Sequence, residues 1–379
     1  MGMIGGGPGA FIGSIHRIAA LMDGEIELVC GAFSSDANRS QQAGEQLYLP
    51  SNRVYDSYAQ MILAERDLPE NERMDFVSIV TPNHVHFDPA KMSMENGFHV
   101  VLDKPATFDL SEAKQLKSVV ENSGKLFCLT HTYSGYPMIK EARERVKNGE
   151  LGTIRKIFVT YPQGWLSTFL EGTDSKQASW RTDPARSGKA GAMGDIGTHA
   201  FNLAEYISGL EVTAICAHIN IVVDGRKLDD DGAVLLQLEN GASGVLIASQ
   251  VLAGEENDLT IKIYGEKGGM QWQHADPNTL LLKWPDAPAQ VLRAGTPYLS
   301  SVAKHNTRTP SGHPEGFLEA FANHYRNFAL CVRAELKGEK PKKEWLDFPS
   351  IEEAVRGMAF IENVIESGKS DMKWKKFEV

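Results

Sequence analysis

Three features that would direct a protein to a membrane, to an oxidising compartment or to nucleic acid are missing from the sequence. No stretch approaches the ~20 consecutive apolar residues that are needed to span a bilayer. The four cysteines lie far apart and form no C-x-x-C pair, as is typical of reduced thiols in a cytosolic core. Acidic residues outnumber basic ones by 49 to 39, so a nucleic-acid or anionic-membrane partner has no electrostatic support.

A signal-peptide pattern is also missing, because no basic residue precedes the first apolar run and glycines follow it directly. We therefore expect a cytoplasmic protein. The hydrophobic fraction of 42% and the charged fraction of 23% are ordinary for a globular chain. Because 379 residues exceed the size at which one hydrophobic core stops growing, we expect two domains.

The first third of the chain alternates apolar strands with amphipathic helices. Continuous apolar strands in such an alternation are typical of a parallel sheet that is covered on both faces. The predicted strands are residues 1–4, 26–33, 76–81, 99–102 and 126–130, and the predicted helices are residues 11–22, 36–45, 58–64, 87–96 and 110–123. The pattern predicts an α/β domain over residues 1–130.

The rest of the chain changes character. Strands follow one another without intervening helices, which favours an antiparallel sheet. These predicted strands are residues 154–161, 212–223, 233–238, 244–251, 259–264, 270–273 and 280–284, and helices return at 314–334 and 351–367. We predict an α+β domain over residues 131–379 with a large, mostly antiparallel open sheet, and we expect the helix at 351–367 to pack back toward the first domain.

A glycine-rich turn lies between the first strand and the first helix. Gly5, Gly7 and Ala10 match the dinucleotide-binding pattern G-x-G-x-x-A, in which glycines let the backbone approach a pyrophosphate. Phe11 and Ile12, at the start of the helix, offer free N–H groups to the same anion. The turn therefore predicts a dinucleotide site.

The choice between NAD and NADP stays open in the sequence. An acid at the end of the second strand binds the ribose hydroxyls and favours NAD, whereas small polar residues with a nearby arginine admit a 2′-phosphate. Ser34 stands at the expected position, Asp36 lies slightly late and Arg39 is close by.

Further motifs make the chain resemble the glucose–fructose oxidoreductase/inositol dehydrogenase family, often called Gfo/Idh/MocA. In the family's order, the motifs are residues 13–16 (GSIH for G-x-x-H), 81–86 (TPNHVH for T-P-N-x-x-H), 103–105 (DKP for E-K-P), 180–188 (WRTDPARSG for W-R-x-D-P-x-x-S-G) and 194–199 (GDIGTH for D-I-G-x-H). The resemblance implies a Rossmann domain, an α+β domain, and NAD(P)-dependent hydride transfer at a secondary hydroxyl of a sugar, glycoside or cyclitol.

Three positions depart from the family's pattern. If Gly13 is the family's third glycine, the phosphate loop is about three residues longer than usual. Asp103 replaces the familiar glutamate with a shorter carboxylate, and Asn202 stands where an aspartate is usual. None of these changes removes a catalytic group.

The resemblance also implies roles for individual residues. His199 would exchange the proton of the reacting hydroxyl, Asp195 would orient a neighbouring hydroxyl, and Lys104 would hydrogen-bond the reacting oxygen and link to the cofactor ribose. Lys104 follows the end of a strand, where open α/β sheets place ligands, and Asp195 and His199 share a face if their segment is helical. The other residues expected at the cofactor, besides the glycine loop and Ser34, are Thr81, Asn83, His86, Asp103 and Arg181.

We expect the substrate at the junction of the two domains, where ligand clefts prefer to form. Aromatic rings stack on sugar faces and polar groups bind hydroxyls, so the candidates for the pocket wall are of these types. They are His131, Tyr133, Tyr136, Trp165, Arg181 and His313, beside Asp195 and His199. The aromatic stripe at residues 317, 321, 325 and 328 has helical spacing and is interpreted as core.

A catalytic metal is not expected, because no three or four potential ligands converge at the spacing of a zinc site. Two other functions stay open beside a dehydrogenase. Some relatives hold NAD tightly and hydrolyse glycosides through transient oxidation, and others are non-catalytic sensors, although a sensor has no need for Lys104, Asp195 and His199 together. The family also implies a homodimer or homotetramer that is formed through one face of the large sheet.

Overall fold

The computed structural model describes residues 1–173 and 175–379, and the chain divides into two compact units. The first unit contains Met1–Thr132 and Phe321–Val355, and the second contains Tyr133–Ala320 and Arg356–Val379. Each unit is therefore built from two separate stretches of chain. No helix in the described part of the chain is long and apolar enough to cross a membrane.

A five-stranded parallel sheet forms the centre of the first unit. Its strands are β1 (Gly2–Gly5), β2 (Cys30–Ala32), β3 (Phe76–Val80), β4 (His99–Leu102) and β5 (Phe127–Leu129). They lie in the order β2-β1-β3-β4-β5, and all neighbours are parallel. The order reverses between β1 and β3, which is the place where open sheets of this type bind ligands. The second strand begins at Cys30 and not at residue 26 as predicted. Cys30 pairs with Gly2, the first residue of β1, so β1 does not extend far enough to pair with residues 26–29.

Five helices follow the strands of the first unit: α1 (Phe11–Leu21), α2 (Ala37–Gln46), α3 (Tyr58–Arg66), α4 (Phe87–Glu95) and α5 (Leu110–Ser123). Three of them begin at a residue whose side chain accepts a hydrogen bond from a backbone N–H of the first turn: Asp36, Ser57 and Asp109. Such N-caps satisfy donors that the helix itself cannot pair. Because these signals are local, the predicted helices agree closely with the observed ones.

A nine-stranded sheet forms the second unit. Its strands are β6 (Ile154–Pro162), β7 (Val212–Asn220), β8 (Asp231–Leu238), β9 (Ser243–Ser249), β10 (Thr260–Gly265), β11 (Gly269–Gln273), β12 (Thr279–Lys283), β13 (Gln290–Arg293) and β14 (Lys375–Lys376). They lie in the order β13-β12-β11-β10-β6-β9-β8-β7-β14. Among the described strands of this sheet, the central pair of β6 and β9 is parallel and all other neighbours are antiparallel. The predicted fold class, an α/β domain followed by an α+β domain with a mostly antiparallel sheet, is confirmed.

The remaining helices are α6 (Pro137–Lys147), α7 (Lys176–Arg181), α8 (Pro184–Ser187), α9 (Thr198–Ser208), α10 (Ser301–His305), α11 (Phe317–Leu336) and α12 (Ile351–Gly368). Helices α6 and α9 pack on one face of the nine-stranded sheet. The sequence did not predict α6, because Lys140 and Glu141 interrupt its apolar pattern although both are buried. Glu141 is paired with Arg145 and accepts from the backbone N–H of Ser300, which makes its burial tolerable.

Two late segments complete the units. In the first unit, the ring of Phe328 on α11 lies 5.3 Å from that of Phe76 on β3. In the second unit, the ring of Phe360 on α12 stacks on Phe201 of α9 at 4.7 Å. Aromatic packing of this kind adds to the apolar area that each sheet buries.

Asp229 holds the start of the helical segment that carries two of the candidate catalytic residues. Its carboxylate accepts from the backbone N–H groups of Gly191 and Met193 at 2.7 Å each, and its carbonyl oxygen accepts from Ala192 N at 2.8 Å. Burial raises the pKa of Asp229 to about 6, although these two N–H donors oppose the shift. At neutral pH the carboxylate is therefore ionised and both of its oxygens accept.

We predict that Asp229→Asn destabilises the second unit. The amide would turn an NH₂ group toward one of the two backbone donors, Gly191 N or Met193 N, and leave that donor unpaired. The free energy of unfolding should fall by about 1–3 kcal/mol, as measured by chemical denaturation followed by circular dichroism. Asp231→Asn is the matched control, because Asp231 accepts from the side chain of Asn220 instead. Equal stability of the two variants would contradict the assigned role.

Candidate active site

The glycine loop has the shape that a pyrophosphate requires. Gly5, Gly6 and Gly9 adopt positive φ angles of 84°, 72° and 81°, which residues with a side chain rarely reach. Helix α1 begins at Phe11, and Ala10 at its N-cap has no side chain that could accept from the first N–H groups. These groups and the helix dipole are free to bind an anion. The predicted position of the loop, between strand and helix, is confirmed.

Gly13 is the glycine that allows α1 to pack closely on the loop. A Cβ atom on Gly13 would lie 2.3 Å from the Cα of Gly6, and one on Gly7 would lie 2.7 Å from the carbonyl oxygen of Phe33. Arg17, one turn after Gly13 on α1, donates to Gly6 O at 2.8 Å and so ties the loop to the helix. The loop is thus longer than the short form of the pattern, and Arg17 is a supporting residue that no sequence motif indicated.

The end of β2 presents no free acid in the expected place. Ser34 accepts from the backbone N–H of Asp36 at 3.1 Å, and Asp36 accepts from Arg39 N at 3.0 Å as the N-cap of α2. The guanidinium of Arg39 reaches Pro8 O at 3.5 Å, across to the glycine loop. The groups nearest to the expected ribose position are therefore a hydroxyl and an exposed guanidinium.

The loops after β3 and β4 are joined by a buried histidine. The two ring nitrogens of His86 lie 2.7 Å from Thr81 O and 2.8 Å from Pro105 O. Burial lowers the pKa of His86 against the effect of these carbonyl groups and of the Asp103 charge. Asn83, also buried, begins a short 3-10 turn between Thr81 and His86. His86 thus links two backbone segments, and its contact with a cofactor stays a prediction.

Lys104 stands directly after Asp103 at the end of β4. The Asp103 carboxylate accepts from Lys104 N at 2.9 Å and from the Thr130 hydroxyl at 3.0 Å. His131 is buried near by, and burial together with the charges of Lys104 and His324 lowers the pKa of His131 to about 3. His131 is therefore neutral at physiological pH. The first unit brings Lys104, Asp103, His86 and His131 to one edge of its sheet, as the sequence predicted for residues after strand ends.

Asp195 and His199 lie on one continuous helical segment of the second unit. Met193–Gly197 is wound as a π-helix, and α9 continues it from Thr198. Asp195 accepts from Gln250 Nε2 at 2.9 Å, and its carboxylate lies 3.5 Å from Arg181 Nε. π-Helical turns occur frequently at functional sites, where they change the direction of a side chain.

A chain of side-chain amides extends from Asp195, and we name it the amide cluster: Gln163, Gln250 and Asn257. Gln250 donates to Gln163 Oε1 at 3.2 Å, and Gln163 donates to Asn257 Oδ1. Gln163 follows the end of β6, and Gln250 follows the end of β9. Because β6 and β9 are parallel, their carboxyl ends meet at the same edge of the sheet.

Tyrosines connect the amide cluster to His199. Tyr161 donates to Asn257 Oδ1 at 2.8 Å and is hydrogen-bonded to Tyr133, whose ring lies 5.0 Å from that of His199 in an edge-to-face arrangement. Burial raises the pKa of both tyrosines, so their hydroxyls stay neutral and can each donate and accept. His274 extends the chain from Asn257 to the Tyr136 hydroxyl at 3.0 Å.

The second unit assembles most of the predicted substrate residues. Trp165 donates to Gln163 at 3.0 Å, so Tyr133, Trp165, Arg181, Asp195 and His199 all contact one another or the amide cluster. His313 differs, because it is exposed and α11 begins only at Phe317, three positions after the predicted helix start at residue 314. The residues that the sequence did not single out are Tyr161, Gln163, Gln250, Asn257 and His274.

Potential metal ligands are dispersed. Within residues 1–173 and 175–379, no three His, Cys, Asp or Glu side chains lie together in a way that could hold a metal ion. The polar groups of the site are instead amides, hydroxyls and single charges, which suit hydrogen bonding.

Two family models match the chain. One, described as "Oxidoreductase family, NAD-binding Rossmann fold", matches residues 1–131, and the other, described as "GFO/IDH/MocA C-terminal domain", matches residues 139–271. They cover the five-stranded sheet and the part of the chain that carries Asp195, His199 and the amide cluster.

Individual relatives match over nearly the whole chain. The uncharacterized oxidoreductase YfiI of Bacillus subtilis is 32% identical over 379 residues, which cover 99% of this chain and 96% of that protein. The structure of an oxidoreductase from Sinorhizobium meliloti is 40% identical with a TM-score of 0.89, covering 99% of this chain and 98% of that one.

An inositol dehydrogenase homolog from Azotobacter vinelandii is similar as well. Its complex with NAD+ is 32% identical with a TM-score of 0.93 and covers 99% of this chain and 96% of that one. Its complex with NADH and myo-inositol is 31% identical with a TM-score of 0.90 and covers 99% and 97%. With its NAD-binding Rossmann domain and its second-domain match, the chain belongs to the Gfo/Idh/MocA family of oxidoreductases, as its motifs indicated.

Proposed function

We propose that the protein is an NAD(P)-dependent dehydrogenase that acts on a secondary hydroxyl of a sugar, glycoside or cyclitol. The observation that carries this proposal is the amide cluster, which runs from Asp195 to the tyrosines beside His199. Amides and neutral hydroxyls both donate and accept, so they match the hydroxyls of a polyol. The relative that was solved with NADH and myo-inositol makes inositols the first substrates to test.

The residues of the first unit that would hold a nicotinamide cofactor are those of the glycine loop, the start of α1, and the loops after β3 and β4. When bound, such a cofactor supplies the hydride acceptor of the reaction. Gly5, Gly7 and the first N–H groups of α1 would bind its pyrophosphate. The ammonium of Lys104 donates to the reacting oxygen and withdraws charge from it as its proton leaves.

In the second unit, His199 takes the proton of the reacting hydroxyl. Its ring is buried against Tyr133, so its orientation is fixed and bulk water is kept from it. Asp195 is held by Gln250 and Arg181 and accepts from a neighbouring hydroxyl of the substrate. Beside a hydride acceptor, the oxidation of a polyol needs a base that takes the hydroxyl proton and a group that orients the ring, and His199 and Asp195 would supply these two.

Lys104→Ala and His199→Ala should each lower turnover at least a hundredfold, in line with acid–base contributions of about 10²–10⁴. Reduced nicotinamide is followed by absorbance with inositols, sugars and glycosides, and cofactor binding is followed separately by fluorescence. Binding should be largely intact, because the glycine loop that would hold the pyrophosphate is unchanged in both variants and Lys104 would add only one contact with the ribose.

Lys114→Ala is the matched control for the lysine, because Lys114 is exposed on α5 and lies outside the site. Full activity of the Lys104 and His199 variants would overturn the assignment. A wild-type protein that binds cofactor and releases sugar from glycosides without accumulating reduced nicotinamide is instead a hydrolase, and one that binds cofactor and polyols without turnover is a sensor.

We also propose that the end of β2 admits NADP. Ser34 and Arg39 occupy the region where an acid would repel a 2′-phosphate, and Asp36 is engaged as an N-cap. Ser34→Asp should raise the ratio of kcat/KM for NAD to that for NADP at least tenfold, because a carboxylate accepts from both ribose hydroxyls and repels the phosphate. An unchanged ratio in steady-state assays would place the ribose elsewhere. Ser35→Asp, one residue further on, is the control.

We propose further that the free face of the nine-stranded sheet binds a second copy of the chain. Helices α6 and α9 cover the other face, and Phe158, Val245 and Leu235 lie side by side across β6, β9 and β8 on the free one. Phe158 and Leu235 are 39% and 43% exposed, and Val245 between them is half-buried. Three adjacent apolar side chains are unusual on a surface that faces only solvent.

Val245→Glu should convert the assembly to a 41.7 kDa monomer in sedimentation velocity, because a charge buried at the interface is costly. Leu336→Glu places the same charge on an exposed position of α11 and should leave the assembly intact. A wild-type protein that sediments as a monomer would refute the proposed face, as would a Val245→Glu variant that keeps the wild-type mass.

A further inference from the structure

A line of polar side chains crosses the core of the first unit, three of them buried, and ends at the residue before Lys104. It comprises Ser78 on β3, Tyr325 on α11, His16 on α1 and Asp103 after β4. The Tyr325 hydroxyl lies 2.7 Å from Ser78 Oγ and 2.6 Å from His16 Nδ1. His16 Nε2 lies 3.7 Å from Asp103 Oδ1. We name these four residues the buried relay.

The surroundings of the buried relay are apolar. Ser78, Tyr325 and His16 are fully buried, and the ring of Phe321 meets that of His16 edge to face at 4.6 Å. Polar groups in such a core cost free energy unless they are hydrogen-bonded, and three apolar residues would fill the same space without that cost. Packing alone therefore does not account for the histidine of the G-x-x-H motif.

The tautomer of His16 sets the direction of the hydrogen bonds in the relay. When the Tyr325 hydroxyl donates to His16 Nδ1, the proton of a neutral imidazole is on Nε2. No group in the described part of the chain lies within hydrogen-bonding distance of Nε2. The Asp103 carboxylate at 3.7 Å is the negative charge toward which that proton points.

Asp103 in turn holds the backbone of Lys104. Its Oδ1 atom accepts from Lys104 N and from the Thr130 hydroxyl. An ionised carboxylate in this orientation therefore fixes the backbone of Lys104, and with it the Cα atom that carries the lysine side chain. Burial by itself would raise the pKa of Asp103, but the imidazole of His16 at 3.7 Å and the charges of Lys104 and His86 outweigh it and lower the pKa to about 2.

We propose that His16 is a positioning residue for Lys104: from inside the core, oriented by Tyr325 and Ser78, it keeps the Asp103 carboxylate ionised and aimed at the lysine backbone. His16 touches neither cofactor nor substrate in this role. The inference rests on the proposed function, because oxidation of a polyol supplies its activity readout. It assigns a task to the G-x-x-H histidine, which the mechanism above does not use.

Other charged and titratable groups also face Asp103. They are Lys104 and His86, which lower its pKa, and His131 and Tyr325, which interact with its charge. All of them are unchanged when only His16 is replaced. A comparison between two His16 variants therefore isolates the contribution of the imidazole.

The test uses two amides that each replace one ring nitrogen. The terminal amide of glutamine overlays Nε2 and keeps a donor toward Asp103, whereas that of asparagine overlays Nδ1 and keeps only the contact with Tyr325. His16→Gln should retain kcat within about threefold of wild type. His16→Asn should lose at least tenfold, because no donor then faces Asp103 to hold its orientation, and the loss should deepen as the pH falls toward the ordinary carboxyl range, because its Asp103 protonates at a higher pH.

The ratio of the two kcat values is the informative quantity, because any other group that titrates in the site acts equally on both variants and cancels. KM for cofactor and substrate should stay within about twofold of wild type. Equal losses in the two variants at every pH would show that the histidine only fills space. Wild-type activity in both would show that it is dispensable. Either outcome overturns the proposal.

A second measurement needs no substrate. A carboxyl whose pKa is lowered by folding adds stability above its ordinary value of 3.8, and this stability is lost as the pH falls toward about 2. His16→Gln should therefore unfold at a higher denaturant concentration than His16→Asn at neutral pH, and the difference should shrink on acidification. A difference that is independent of pH overturns the proposal, even if no polyol is oxidised and the proposed function itself fails.

Discussion

Carboxylates that accept from backbone N–H groups hold both candidate catalytic segments. In the first unit, Asp103 accepts from Lys104 N, and in the second, Asp229 accepts from Gly191 N and Met193 N at the start of the segment that leads to His199. An ionised carboxylate in a low-dielectric interior forms strong hydrogen bonds, and backbone atoms cannot rotate away as side chains can. The positions of the reacting groups therefore depend on acids that do not react.

The second unit adds a further constraint through its strand order. A sheet that is otherwise antiparallel contains one parallel pair among its described strands, β6 with β9, and this pair brings Gln163 and Gln250 to the same edge. Each amide is then satisfied by a neighbour in the chain from Asp195 to Tyr161. The amide cluster therefore presents uncharged donors and acceptors on a rigid sheet edge. Under the proposed function, such a cluster suits a ligand with several hydroxyls.

The sequence could predict the features that depend on local chemistry. Strand periodicity, the glycine turn and the N-caps Asp36, Ser57 and Asp109 are encoded within a few residues, so the fold class and most helix ends followed from them. Motifs of the same local kind indicated the family, and the family models and the relatives confirmed it. Helix α6 was missed, because buried Lys140 and Glu141 carry no apolar signal and find their partners only in the folded chain.

By itself, the sequence determined the candidates for the reactive groups: Lys104 after a strand, and Asp195 and His199 four positions apart in one helical segment. Only the tertiary structure decided what holds them. Tyr161, Gln163, Gln250 and Asn257 lie on different strands and loops, and Tyr325 meets His16 across 309 positions of sequence. Hydrogen bonds between groups so far apart in the chain have no periodicity and no fixed spacing, because they form only when the sheets and helices bring the side chains together.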